Sequence, residues 1–294
     1  MSASPSHSLS FPEIAHGRDA RLHVPPGYRA KTLLAWGDPL FSDTPGLSFD
    51  NHDPQQQAHQ FGYNNDFVAF LPLADTGRGV LVVNHESTLP MLMFPNSPKA
   101  ASLSRRQVDI EIAAQGISII EIEPQAGDWR PILSSHFNRR ITPWTAMRFS
   151  GPAAGHPRLR TARWSDGIAT HGTFANCAGG VTPWGTVLSA EENFDFYFLG
   201  DPAKTKEAEN YRRVGFHRKR RFYHWGRYHP RWHLDKEPGA PMHAGWVVEL
   251  DPFDPESTPV KRTGLGRFKH ENCNIHINAD GHVVAYMGDD AYNE

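Results

Sequence analysis

The chain predicts an all-β fold with little helix, and three observations carry that expectation. Short apolar runs bounded by turn residues recur from end to end. With 24 prolines and 25 glycines in 294 residues, the chain is rich in residues that interrupt helices. Aromatic residues make up 11%, a content that favours strands. A β-propeller is the first architecture, because radial blades leave only short edges, and a two-sheet sandwich is the second. The runs are unevenly spaced, with long polar inserts and no strict repeat such as a Trp-Asp dipeptide.

Taken in order, residues 1–20 are rich in Ser, Pro and His and read as a loose arm; the folded domain runs from 21 to 294. Val24-Pro-Pro-Gly-Tyr28 is a turn, Lys31–Trp36 a strand, and 42–60 a polar loop. Asn64, Asn65 and Asp66 place hard oxygens just before the strand Phe67–Leu71, although taken alone an Asx turn explains them better. Gly79–Val83 is a buried strand ending in Asn84-His85-Glu86. Residues 100–115, with Val108, Ile110, Ile112 and Ala113 among charges, form the one amphipathic helix. Ile117–Glu121 is a strand ending at Glu123-Pro124, and Gly245–Asp251 repeats that shape before Pro252. Asn274–Asn278 and His282–Met287 flank Asp280-Gly281 and read as a hairpin, the Asp-Gly pair supplying positive φ angles.

Gly172–Phe194, GTFANCAGGVTPWGTVLSAEENF, organises the rest. It sets Cys177 in a glycine-rich turn, follows with the strand Gly185–Ser189, and closes on Glu191 and Glu192. Acidic residues end four such units: Glu86, the pair Glu191/Glu192, Glu271 in Phe268-Lys-His-Glu271, and Asp289/Asp290. Any one of them suits a solvated loop, and Cys177 alone suits a small buried hydrophobe. Converging at strand ends, carboxylates repel unless cations neutralise them, and oxygen ligands suit calcium-like ions. A soft thiolate adds a transition metal, so a mixed site of iron-type and calcium-type ions fits this set. Which of Glu191 and Glu192 takes part stays open.

Bulk properties narrow the function classes. A formal charge of −2 points to no polyanionic partner. Arg212–Lys236 interleaves basic and aromatic residues, which could bind single-stranded nucleic acid. A loop with solvated arginines and packed rings is the preferred reading, and such a lid would also steer anions toward a metal site. His217, His224, His229 and His233 lack the fixed spacing of a zinc site. Cys177 and Cys273 could pair in an exported protein, but nothing in the sequence pairs them. No apolar run reaches membrane-spanning length. The first residues hold no signal-peptide core, which fits a cytosolic chain or one whose leader lies outside this sequence.

The stretches FGYNNDF, VVNHEST, RRITPWTAMRFSGPAAGH, GTFANCAGG, TPWGTVLSAEENF, KRTGLGRFKHEN and YMGDDAYNE together resemble the PhoX-type alkaline phosphatases, from about Tyr28 onward. The resemblance implies a periplasmic or secreted phosphatase exported by a twin-arginine signal, produced under phosphate starvation and acting on phosphate monoesters. It implies a β-propeller holding iron (Fe3+) and calcium, with Cys177 bridging the irons. Glu271, Glu192, Glu86, Asp66, Asn65 and Asp290 would be further ligands. Members of that family continue for a further large segment that completes the propeller and supplies another metal-binding glutamate and an arginine. The resemblance therefore implies an incomplete propeller over 21–294, a fragment or truncated product that binds its cluster poorly and turns over little ester. The alternatives are a non-catalytic propeller-type binding module and a nucleic-acid binder using 212–236.

Overall fold

The computed structural model describes residues 11–216 and 222–292. Residues 1–10 of the expected arm, and His217 with the centre of the basic aromatic segment, lie outside the described residues. The chain divides into two compact units, Met1–Leu34 and Ala35–Glu294. The described part of the first has no helix or strand; Phe11 meets Tyr28 edge-on at 5.4 Å, and Tyr28 N–H donates to the Pro25 carbonyl.

The second unit is mostly β, with thirteen strands among the described residues. Its first sheet is formed by β1 (Asn65–Pro72), β2 (Gly79–His85), β3 (Gly116–Gln125), β4 (Asp128–Pro131) and β5 (Arg139–Ile141), in the order β1-β2-β3, with β4 and β5 sharing the far edge of β3. The β-branched runs in β2 and β3 form its buried centre, as two-sided burial demands. The second sheet contains β6 (Ala146–Ser150), β7 (Ala169–His171), β8 (Asn176–Val181), β9 (Val187–Glu191), β10 (Val247–Leu250) and β11 (Val260–Arg262). Their order is β7-β6-β11-β10-β9-β8. Here β11 runs parallel to β6, while the other neighbours are antiparallel. Strands β12 (Asn274–Ile277) and β13 (Val283–Tyr286) pair as the expected hairpin.

Both larger sheets contribute to one core, in which Val80, Val82, Ile117 and Ile119 meet Met147, Val187, Val248 and Leu250. A second core gathers Val108, Ile110 and Ile112 of the helix Arg105–Ala114 with Phe174, Tyr197, Trp225 and Trp232. That helix starts on a reciprocal cap: Ser104 Oγ accepts from Gln107 N–H, and Gln107 Oε1 accepts from Ser104 N–H.

The fold is mostly β, as expected, and its sheets of five, six and two strands form no closed barrel among the described residues. Several expectations need correction. Lys31–Trp36 is not a strand, since none of its residues joins a ladder; Trp36 instead packs on Tyr63 at 5.2 Å. A short helix, Pro54–Gln57, interrupts the 42–60 loop, and β3 runs on through Glu123-Pro124 to Gln125. In the hairpin turn only Gly281 takes a positive φ, +86°; Asp280 does not. Both cysteines are free. In the basic aromatic segment Tyr223, Trp225 and Trp232 are buried, so these rings are packed inside rather than offered to bases. His229 there meets Asp109 at 2.5 Å. No helix among the described residues is long and apolar enough to cross a membrane.

Candidate metal centre

Two β-bulges build the site. In β1 the register slips between Asn65, opposite His85, and Val68, opposite Val83, so Asp66 lies in the bulge. In β8 it slips between Asn176, opposite Glu191, and Gly179, opposite Ser189, so Cys177 lies in another. Cys177 is therefore on a bulged strand rather than in a turn. A bulge re-aims one side chain while the ladder continues on either side. The two bulges meet, with Cys177 Sγ 3.7 Å from Asp66 Oδ2. Behind them stands the buried side chain of Asn84, whose Nδ2 donates to the carbonyls of Cys177 at 2.5 Å and Ala178 at 3.3 Å. Its Oδ1 accepts from Ser189 Oγ, which in turn accepts from Asn176 Nδ2. The Gly-Gly pair after Ala178 has a steric reason. A Cβ on Gly179 would sit 2.2 Å from the Leu188 carbonyl oxygen, and one on Gly180 2.2 Å from that of Cys273.

Four other loops bring in the remaining acids. Glu86 follows β2; its N–H donates to Asn64 and its carbonyl accepts from Tyr197 OH. Glu192 follows β9, its N–H on the Ala175 carbonyl. Glu271 and Asp290 come from segments joined at His270 and Asp289, with Glu271 N–H on the Gly288 carbonyl and Asp290 N–H on that of Lys269. The result is two donor groups, Glu86–Cys177–Glu192 and Glu192–Glu271–Asp290. Within each group the ligand atoms lie within 4.8 Å of one another, and Glu192 belongs to both. Asp66 belongs to neither group and adjoins the first only through Cys177; Asn65 occupies the register position opposite His85.

Glu191 is excluded by its partners. Its Oε1 meets Lys261 Nζ at 2.6 Å, both side chains fully buried, and its Oε2 accepts from Gly245 and Trp246 N–H. Among the described residues Glu192 has no such cation. Asn193 Nδ2 donates to Glu192 Oε1 at 2.7 Å and to Asp290 Oδ2 at 3.1 Å, and Lys269, ion-paired with Asp195 at 2.9 Å, donates to Asn193 Oδ1.

Electrostatics show what the cluster lacks. Burial, then Asp66 and Asp290, raise the Glu86 carboxyl above its usual range. Burial, then Asp290 and Glu86, push Glu192 up to about 8. Burial, then the Glu192, Asp66 and Glu86 carboxylates, push the Cys177 thiol far above its ordinary value. Acids that raise one another while the nearest lysines are committed elsewhere form a site short of positive charge. The donor set fits metal ions: carboxylate oxygens for hard cations, one sulfur for a softer one.

A mostly β scaffold that draws carboxylates and one thiol from distant loops into linked donor groups defines a candidate multi-metal protein. The chain belongs to the alkaline phosphatase PhoX family, whose model matches residues 9–294. A solved structure of Pseudomonas fluorescens PhoX in complex with vanadate, a transition state analogue, is similar at 39% identity and a TM-score of 0.86, covering 92% of this chain and 46% of that one. The chain thus spans less than half of that protein. No curated protein matches.

Of the residues the sequence named, the structure brings Glu86, Cys177, Glu192, Glu271 and Asp290 into the two groups, with Asp66 beside Cys177 and Asn65 at the strand end. Sequence reasoning missed the residues that hold them. Asn193 follows the Glu pair directly and Lys269 stands in the Lys-His-Glu run, so both were visible as neighbours. Asn84 gave no signal, because its partners lie 93 and 94 residues away.

Proposed function

We propose that this chain is the metal-holding part of a phosphatase that hydrolyses phosphate monoesters, with Cys177, Glu192, Glu86, Asp66, Glu271 and Asp290 as metal ligands. The observation that carries this reading is the sharing of Glu192 between two donor groups in a chain of the PhoX family. The thiol favours iron near Cys177, and the all-oxygen group Glu192–Glu271–Asp290 favours calcium. Asn65 remains a weaker candidate, supported only by its place beside Asp66. The sheets and hairpin are read as blades of a propeller-like architecture. Kinship with exported phosphatases supports work outside the cytoplasm, in scavenging phosphate.

Bound cations would supply the positive charge that holds and polarises a phosphoryl group. The chain's own residues prepare that place. Asn193 aims the Glu192 and Asp290 carboxylates, Lys269 fixes Asn193, Asn84 pins the backbone under Cys177, and Tyr197 anchors the Glu86 carbonyl. Such supporting contacts set ligand direction and affinity.

Elemental analysis of the purified chain, with hydrolysis of p-nitrophenyl phosphate after metal addition, tests this. Iron and calcium should co-purify, and Cys177→Ser should lose the iron. Metal content unchanged by Cys177→Ser would overturn the ligand assignment. Stoichiometric metal without turnover would favour the second reading, a non-catalytic binding module.

A further inference from the structure

A cavity away from the carboxylate cluster is lined by Trp144, Arg163, Trp164, His171, Arg231 and His243. Its volume is about 60 Å³, where a single water needs about 10–15 Å³. It has room for a tetrahedral oxyanion in place of several waters.

Its charge is unbalanced. Arg231 comes from the basic aromatic segment and lies largely buried. It gives one N–H each to the Pro143 and His171 carbonyls, at 2.6 and 2.7 Å, and three of its five donors remain. Arg163 lies over the Trp164 ring at 5.3 Å and makes no hydrogen bond or ion pair among the described residues. Glu237 also lines the cavity, but no ion pair joins it to either guanidinium among the described residues. His243 is locked between Thr170 Oγ1 and the Leu159 carbonyl, at 2.7 and 2.9 Å. His171, whose ring makes no hydrogen bond there, packs on Trp164 at 4.9 Å.

We propose that this cavity is a second oxyanion site, which takes a phosphate-sized anion between Arg163, Arg231 and the His171 ring without any metal. Burial, then the two guanidinium charges, already hold His171 down at about 4. The Glu191 and Glu237 charges partly offset Arg231, but no ion pair joins either of them to it among the described residues, and a bound anion would supply the contact both arginines lack. Trp144 and Trp164 supply apolar walls beside the two guanidinium groups, while Arg163 and Trp144 are exposed, so an anion can enter from solvent. The cavity shares no residue with the carboxylate cluster.

The test is a titration of the purified chain with inorganic phosphate, followed by His171 proton NMR and tryptophan fluorescence. Wild type, Arg163→Gln, Arg163→Lys and Glu192→Gln would be compared. Saturating phosphate should raise the His171 pKa, sulfate should compete, and chloride at matched ionic strength should do neither. Arg163→Gln should weaken phosphate about tenfold, the size of one charge-assisted hydrogen bond, and Arg163→Lys should recover part of it. Glu192→Gln should leave this binding unchanged, which separates it from phosphate held at the carboxylate cluster. A His171 response no larger than that to chloride, or one unaltered in Arg163→Gln, would overturn the proposal.

Discussion

Glu191 and Glu192 are adjacent in sequence and opposite in circumstance. The strand turns one inward onto Lys261 and two backbone N–H groups, and every lone pair it needs to fill is filled. The other faces Glu86, Cys177, Glu271 and Asp290, and no ion pair joins it to a lysine or arginine among the described residues. Identical side chains one residue apart therefore serve as a structural strut and as a charge-deficient donor. The difference lies in what the opposite strands bring, not in the glutamates.

The strut gives the largest expected effect. Glu191→Gln leaves the Lys261 ammonium fully buried without its counter-charge, and breaking such a pair costs about 3–5 kcal/mol. Urea unfolding should show a loss of that order. Replacing both partners, as Glu191→Gln with Lys261→Met, should recover much of it. An equal loss in the single and double variants would mean that the ion pair is not what stabilises this corner.

A third buried glutamate sharpens the contrast. Glu111 has neutral partners, Thr88 Oγ1 at 2.8 Å and Trp225 Nε1 at 3.2 Å, and burial pushes it up to about 7 from 4.5. Its folded-state pKa lies above the unfolded one, so between about 4.5 and 7 the native state holds the extra proton. Its contribution is full below the lower value and is lost as pH rises through 7. The loss is about 3 kcal/mol. In Glu111→Gln the stability difference between acid and mildly alkaline pH should shrink by that amount; an unchanged pH slope would place the effect elsewhere.

These cases show how much was legible in the sequence. Strands such as Gly79–Val83 and Ile117–Glu121 announce themselves because buried runs need β-branched residues, and the helix announces itself through Val108, Ile110, Ile112 and Ala113 set among charges. The acids were legible as a set because each closes a unit of apolar strand. Their roles were not. The split between Glu191 and Glu192 depends on Lys261, 70 residues on. The bulges at Asp66 and Cys177 arise from pairing across sheets, and the parallel β6–β11 contact joins segments more than a hundred residues apart. Lys31–Trp36 shows the converse, an apolar run that has no ladder to join.

The donor side gives the next effect. A cation bound to the native state alone, at a hundredfold excess over its Kd, adds about 2.7 kcal/mol. Calcium added to metal-stripped wild type should raise the Tm accordingly. Glu192→Gln should abolish the rise, because it removes the group common to both donor sets. It should also leave the metal-free chain no less stable than wild type, since one member of a mutually repelling set is gone. A calcium response retained in Glu192→Gln would show that the two groups do not work through a shared ligand.

The smallest expected effect tests the support rather than the ligands. Asn193 donates to carboxylates in both sets and accepts from Lys269. In Asn193→Ala, Lys269 keeps Asp195, so the fold should survive while Glu192 and Asp290 lose their common donor. Cation affinity should fall about tenfold, the lower end for loss of a supporting hydrogen bond. Asn193→Asp separates aim from charge. It keeps an acceptor for Lys269 but sets another carboxylate against Glu192 and Asp290, so the metal-free chain should be less stable than Asn193→Ala, while added calcium should raise its Tm further. If both variants bind calcium like wild type, the hydrogen bonds from Asn193 do not orient the site, and the positions of Glu192 and Asp290 follow from the backbone alone.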